Sequence, residues 1–158
     1  MPGLVSVIQA VSAASQEIGI SQKPVASVVG SNDQDIAQML ALLDVVADEV
    51  LLEEPYKTTL GDGFYIVDPT TGDFKQAVTA DSDLIAFDRR LTIDGLKYRF
   101  LKAKGLEFGE ELRDFETRLN KLGARANGRV LDLDAAAGCG DRWGSPWGNI
   151  ATPGGRVQ

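Results

Sequence analysis

The chain has 158 residues, 44% apolar and 25% charged, which suits one domain with a sizeable core and excludes a membrane span, since no apolar run approaches the roughly 18 residues one needs. Sixteen basic against 23 acidic side chains leave a formal net charge of −7, which argues against tight binding to a polyphosphate backbone as the main activity. Histidine is absent, which removes the usual general base, the Ser-His and Cys-His nucleophile pairs and most zinc sites.

The N-terminal stretch has no Lys or Arg ahead of its apolar residues, so it reads as a helix from Leu4 to about Ile18 rather than a signal peptide. Leu4, Val5, Ile8 and Val11 share a side of that helix and Gly19 ends it. Ser31, Asn32 and Asp33 can each cap the next helix, predicted from Asp33 to Leu52, with Ile36, Leu40, Leu43, Ala47 and Val50 on its seam. Met39 and Val46 widen the stripe and Pro55 stops it.

Between Lys57 and Leu84 the period changes. Two short strands flank the turn Asp68-Pro69-Thr70-Thr71-Gly72, predicting a β-hairpin around 58–80. Asp88 can cap the following helix, in which Ile93, Leu96 and Phe100 stack on one face and charged residues take the rest. Gly105 breaks the periodicity, and Phe108, Leu112, Phe115, Leu119 and Leu122 then write a second seam; so short a link predicts two antiparallel neighbours.

Beyond Leu122 lie eight of the chain's 17 glycines, at 123, 128, 138, 140, 144, 148, 154 and 155, together with Pro146, Pro153 and both tryptophans. Arg129 to Asp134 reads as a short strand. The segment 126–158 is predicted to be an extended arm, with Arg142, Trp143, Pro146 and Trp147 as its docking groups, because large aromatic side chains recur at interface hot spots. Cys139 is the one cysteine, so no internal disulfide forms, as suits a reducing cytoplasm. The division expected is thus a helical domain over 1–125 and an arm over 126–158: an α+β protein, mainly α, with a bundle of about four helices.

No catalytic, cofactor or metal site emerges. The acidic pairs Glu53 and Glu54, and Glu110 and Glu111, lie at helix ends, and Asp132 and Asp134 lack the glycine-turned loop of a calcium site. Gly-Cys-Gly-Asp-Arg-Trp-Gly at 138–144 fits no phosphate-loop spacing. Arg90, Lys97 and Lys104 form a basic stripe for which a solvated or intersubunit role is expected, with Glu110, Glu111 and Asp114 of the next helix as neutralising partners. A rival reading is a helix-turn-helix DNA-binding regulator, because Ser15, Gly19 and Val25 approximate its small-residue, turn-glycine and apolar spacing. Pro24 weakens its second helix.

The pattern Leu91 to Leu122, above all Gly95, Leu96, Lys97, Ala103, Lys104, Gly105, Leu106, Arg113, Asp114 and Glu116, resembles the head-to-tail adaptor, or head-completion, proteins of tailed bacteriophages. The resemblance spans roughly residues 10 to 125. The middle segment is short, without the tryptophan expected after the second helix, and the tail from Gly128 has no counterpart. It implies a structural virion protein of the neck, made in the host cytoplasm, with no cofactor and no chemistry. About twelve copies would form a ring under the portal protein, extend the DNA channel and receive tail or neck proteins. Genomic DNA would pass without sequence-specific binding, which an acidic lumen permits. Within that reading the arm would dock on the portal, and the hairpin tip from Asp68 through Pro69, Thr70, Thr71 and Gly72 to Asp73 would face the tail.

Overall fold

A computed structural model describes residues 4–53, 60 and 63–142, with side chains as far as Arg125. The described residues form four helices and one small sheet: β1 (Val5–Ser6), α1 (Val7–Ile18), α2 (Gln34–Leu51), β2 (Ile66–Val67), β3 (Phe74–Lys75), β4 (Leu84–Ile85), α3 (Arg89–Ala103) and α4 (Gly109–Arg142). This is the mainly α, α+β architecture that the periodicity predicts.

Both helix-ending glycines act as expected. Gly19 and Gly105 adopt φ of 84° and 70°, where a Cβ would clash with the backbone. At each, the glycine N–H and the next N–H turn back to carbonyls of the last turn: Gly19 to Gln16 at 3.1 Å and Ile20 to Ser15 at 2.9 Å, Gly105 to Lys102 at 3.1 Å and Leu106 to Leu101 at 2.9 Å. Of the three candidate caps before α2 the structure uses Asp33, whose carboxylate accepts from Asp35 N at 2.9 Å. Asp88 caps α3, accepting from Leu91 N at 3.0 Å.

The predicted seam of α2 is buried except at Leu40, which is half-buried against the core. Ile36, Met39, Leu43, Val46, Ala47 and Val50 are at most 2% exposed, each large side chain contributing about 1.5–3 kcal/mol by leaving water. Pro55, the expected stop, lies outside the described residues. The seam of α4 also packs inward, with Phe115 buried and Phe108, Leu112, Leu119 and Leu122 against the core. Tyr98 and Gly95 meet Phe115 while Asp94 and Asp88, earlier in α3, meet Arg118, later in α4; the two helices therefore run antiparallel.

The structure departs from the sequence reading in three places. Val5–Ser6 is not the first turn of α1 but an edge strand paired with β4, Val5 opposite Ile85. The helix starts only after Ser6, which caps it, and the N–H groups of Val7 and Ile8 are satisfied by the carbonyls of Asp83 (2.9 Å) and Asp81 (3.2 Å). The hairpin is accordingly half of a four-stranded antiparallel sheet in the order β1-β4-β2-β3.

The second departure is α3. It is not one-sided: Leu91, Thr92, Ile93, Asp94, Gly95, Leu96, Tyr98 and Phe100 are all buried, because α1, α2 and α4 all pack on it. Third, the backbone is helical from Gly109 through Arg142, so the strand-like reading of Arg129 to Asp134 does not hold, nor does an extended backbone over 126–142. Leucines and a run of alanines there, all good helix formers, outweigh the intervening glycines.

Candidate interaction surfaces

The hairpin tip is built by local hydrogen bonds. Asp68 accepts from Thr70 N at 2.8 Å and Thr71 N at 3.4 Å through its carboxylate, while its carbonyl receives Gly72 N at 2.8 Å; Gly72 sits at φ 78°. Pro69 through Asp73 are exposed, as is Phe74 beside them at 52%. The base of the hairpin is clamped by Lys75, whose ammonium lies 2.8 Å from Asp68 and 2.9 Å from Asp83. Lys75 and the Thr70 N–H hold the Asp68 carboxyl down to about 2. Burial pushes the Asp83 carboxyl up, but hydrogen bonds from Thr79 N (2.8 Å), Lys75 and Ala80 N (3.0 Å) outweigh it and the net shift is downward.

The basic stripe on α3 is paired inside the chain, with partners other than those expected. Arg90 reaches Glu17 of α1 at 2.6 Å, Lys97 reaches the same carboxylate at 3.0 Å, and Lys104 reaches Asp35 of α2 at 2.8 Å. Glu110, Glu111 and Asp114 take no part in these pairs. Arg90 also stands 3.0 Å from Asp94, a carboxylate only 2% exposed, which Arg118 of α4 approaches to 3.4 Å. The Asp94 Oδ1 accepts no well-aligned hydrogen bond despite this company, and burial raises its pKa against the pull of Arg90 and Arg118.

Two tyrosines bond to α2 by their hydroxyls, Tyr65 just before β2 donating to Asp44 and Tyr98 of α3 to Glu49, which also meets Arg99. Asp81 binds the connection between α1 and α2 to the sheet, accepting from Val28 N at 3.0 Å, Val29 N at 2.7 Å and the Ser27 hydroxyl at 2.8 Å. None of these roles was evident in the sequence, because each joins residues more than twenty positions apart; Asp81 and Asp83 in a turn-rich stretch offered the only hint.

Residues 20–33 contain no helix, so the helix-turn-helix reading lacks its second, groove-reading helix; Pro24 and the bonds to Asp81 hold that stretch as a loop. Among the described residues no group of three His, Cys, Asp or Glu could hold a metal ion, and no helix is long and apolar enough to cross a membrane. Of the expected docking arm, Arg142 is the last described residue, at the end of α4 as described, and Trp143, Pro146 and Trp147 lie outside the described residues. Comparison with family models, with curated proteins and with solved structures finds no match to this chain.

Proposed function

We propose that this chain is a structural subunit of a phage neck, a head-to-tail adaptor that assembles as a ring between portal and tail. What carries the reading is the α3–α4 pair. The residues behind the resemblance fall on it, and several have defined duties there: Gly95 leaves room for Val46 and Phe115 of the neighbouring helices, Leu96 is fully buried, Lys97 pairs with Glu17, and Gly105 makes the turn between the helices. The pattern thus describes one packed unit, which is what a family resemblance requires of it.

In this reading the chain performs no chemistry. Its exposed hairpin tip serves the tail side and the segment beyond Arg142 serves the portal. Mixing the protein with portal rings of the same phage and imaging the product tests the whole: ring density under the portal supports it, and no association refutes it. Removing residues 143–158, which leaves α4 intact, is expected to abolish portal binding. Deleting Thr70 to Gly72 is expected to spare portal binding and abolish capture of tail components.

A further inference from the structure

The two flanks of α4 carry opposite charge. On a helix of about 100° per residue, Glu116 falls about 100° to one side of the buried Phe115, whereas Arg118, Lys121 and Arg125 fall about 60–120° to the other. The first flank closes a groove of about 430 Å³ against the end of α2, with Glu49, Glu53 and Glu116 at its rim and Leu112 and Leu119 on its floor. Leu52, at its edge, is 77% exposed, the most exposed large apolar side chain among the described residues. Burial first, and then the neighbouring Glu116 carboxylate, push the Tyr98 hydroxyl beside the groove up to about 12.

The opposite flank forms a groove of about 400 Å³ with α3, lined by Arg90, Arg118, Lys121 and Arg125, with Asp94 and Asp114 as its acidic members. Arg90 and Arg118 are occupied by Glu17, Asp88 and Asp94. Lys121 and Arg125 are exposed and make no ion pair among the described residues.

We infer that these flanks bind each other between copies of the chain: Lys121 and Arg125 of one copy enter the groove of the next, meet Glu53 and Glu116, and cover Leu52 with their methylene stems. This rests on the reading of the chain as a ring subunit and names the surfaces by which it does so. Two different, mutually complementary patches on one subunit give a head-to-tail contact, and such contacts propagate from copy to copy, as a ring requires, closing where the rotation between copies allows. A patch that bound its own equivalent would stop at a dimer. Opposite placement on a single helix lets both contacts form at once.

Charge exchange in the full-length chain tests the inference. One variant carries Lys121→Glu with Arg125→Glu, the other Glu53→Lys with Glu116→Lys; all four positions are exposed, and thermal melting checks that each variant folds. Sedimentation of the wild type at low salt, up to about 1 mM, is expected to show assemblies larger than a monomer. Each variant alone places like charges together and is expected to self-associate at least about tenfold more weakly. An equimolar mixture restores assembly, since both contacts are then between opposite charges. A wild type that stays monomeric, or a mixture no better than its components, overturns the inference. Rings that form on the portal from either variant alone would sink these surfaces and leave the adaptor reading standing; self-assembly without portal binding would do the reverse.

Discussion

Gly95→Ala sets two effects of known size against each other. Alanine favours a helix interior over glycine by about 1 kcal/mol, so at an open position the substitution would stabilise α3. At Gly95 the new Cβ would lie 2.6 Å from Val46 Cγ1 and 3.0 Å from Phe115 Cε2, about 1 Å inside comfortable carbon contact in the first case. Neither neighbour yields easily. Val46 is fully buried and β-branched, so its χ1 is held by α2, and Phe115 is 3% exposed with its ring against Tyr98 at 5.2 Å. Two helices must therefore shift, at the upper end of the 1–3 kcal/mol typical of overpacking, leaving a net loss of about 2 kcal/mol. Urea unfolding measures it, with the slope of the transition unchanged. The same substitution in a Val46→Ala background loses its worst contact and should cost at least about 1 kcal/mol less. A Gly95→Ala protein as stable as wild type, or a cycle with no coupling, would refute the close-approach argument.

Three further outcomes follow from the structure. Asp94→Asn should stabilise the protein at pH 7 by up to about 1 kcal/mol, because Arg90 and Arg118 keep Glu17 and Asp88 as partners while a buried charge is removed. The raised pKa of Asp94 means that the folded state binds its proton more tightly than the unfolded one; the advantage of asparagine should shrink as pH falls through that pKa and vanish near pH 3.8 and below, and an advantage independent of pH contradicts this. Asp83→Asn should cost about 1–3 kcal/mol at neutral pH, seen as loss of hydrogen-exchange protection in the hairpin. Asp83 has a lowered folded pKa, so the wild type keeps this contribution above pH 3.8 and loses it as pH falls through the folded value; equal acid sensitivity of variant and wild type would argue against it. Gly105→Ala forces a side chain into φ 70° and should cost about 1–2 kcal/mol by thermal unfolding, with no loss if the turn can relax.

The elements that could be read from the sequence are those whose causes are local. Asp33, Asp88, Gly19 and Gly105 fix helix ends through bonds within a few residues, and the turn at Asp68 to Gly72 is closed by its own side chain. The seams of α2 and α4 announce themselves by spacing. What escaped was set by distant partners: Val5 is a strand residue only because Ile85 lies opposite, and α3 looks amphipathic although three helices cover it. The basic stripe shows the same limit. Its charges were visible, but Glu17 and Asp35 as their partners depend on how α1 and α2 lie against α3.

The Lys75 clamp bears on mechanics. Because the ammonium joins the tip at Asp68 to the strand connection at Asp83, and β4 pairs with both β2 and β1, a load applied at Phe74 does not bend a loose finger. It passes across the sheet into β1, which continues without a break into α1, and along β4 to the Asp88 cap of α3. A partner that grips the tip therefore turns the whole helical body as a lever, and its recoil would be felt at α3, against which the other three described helices pack.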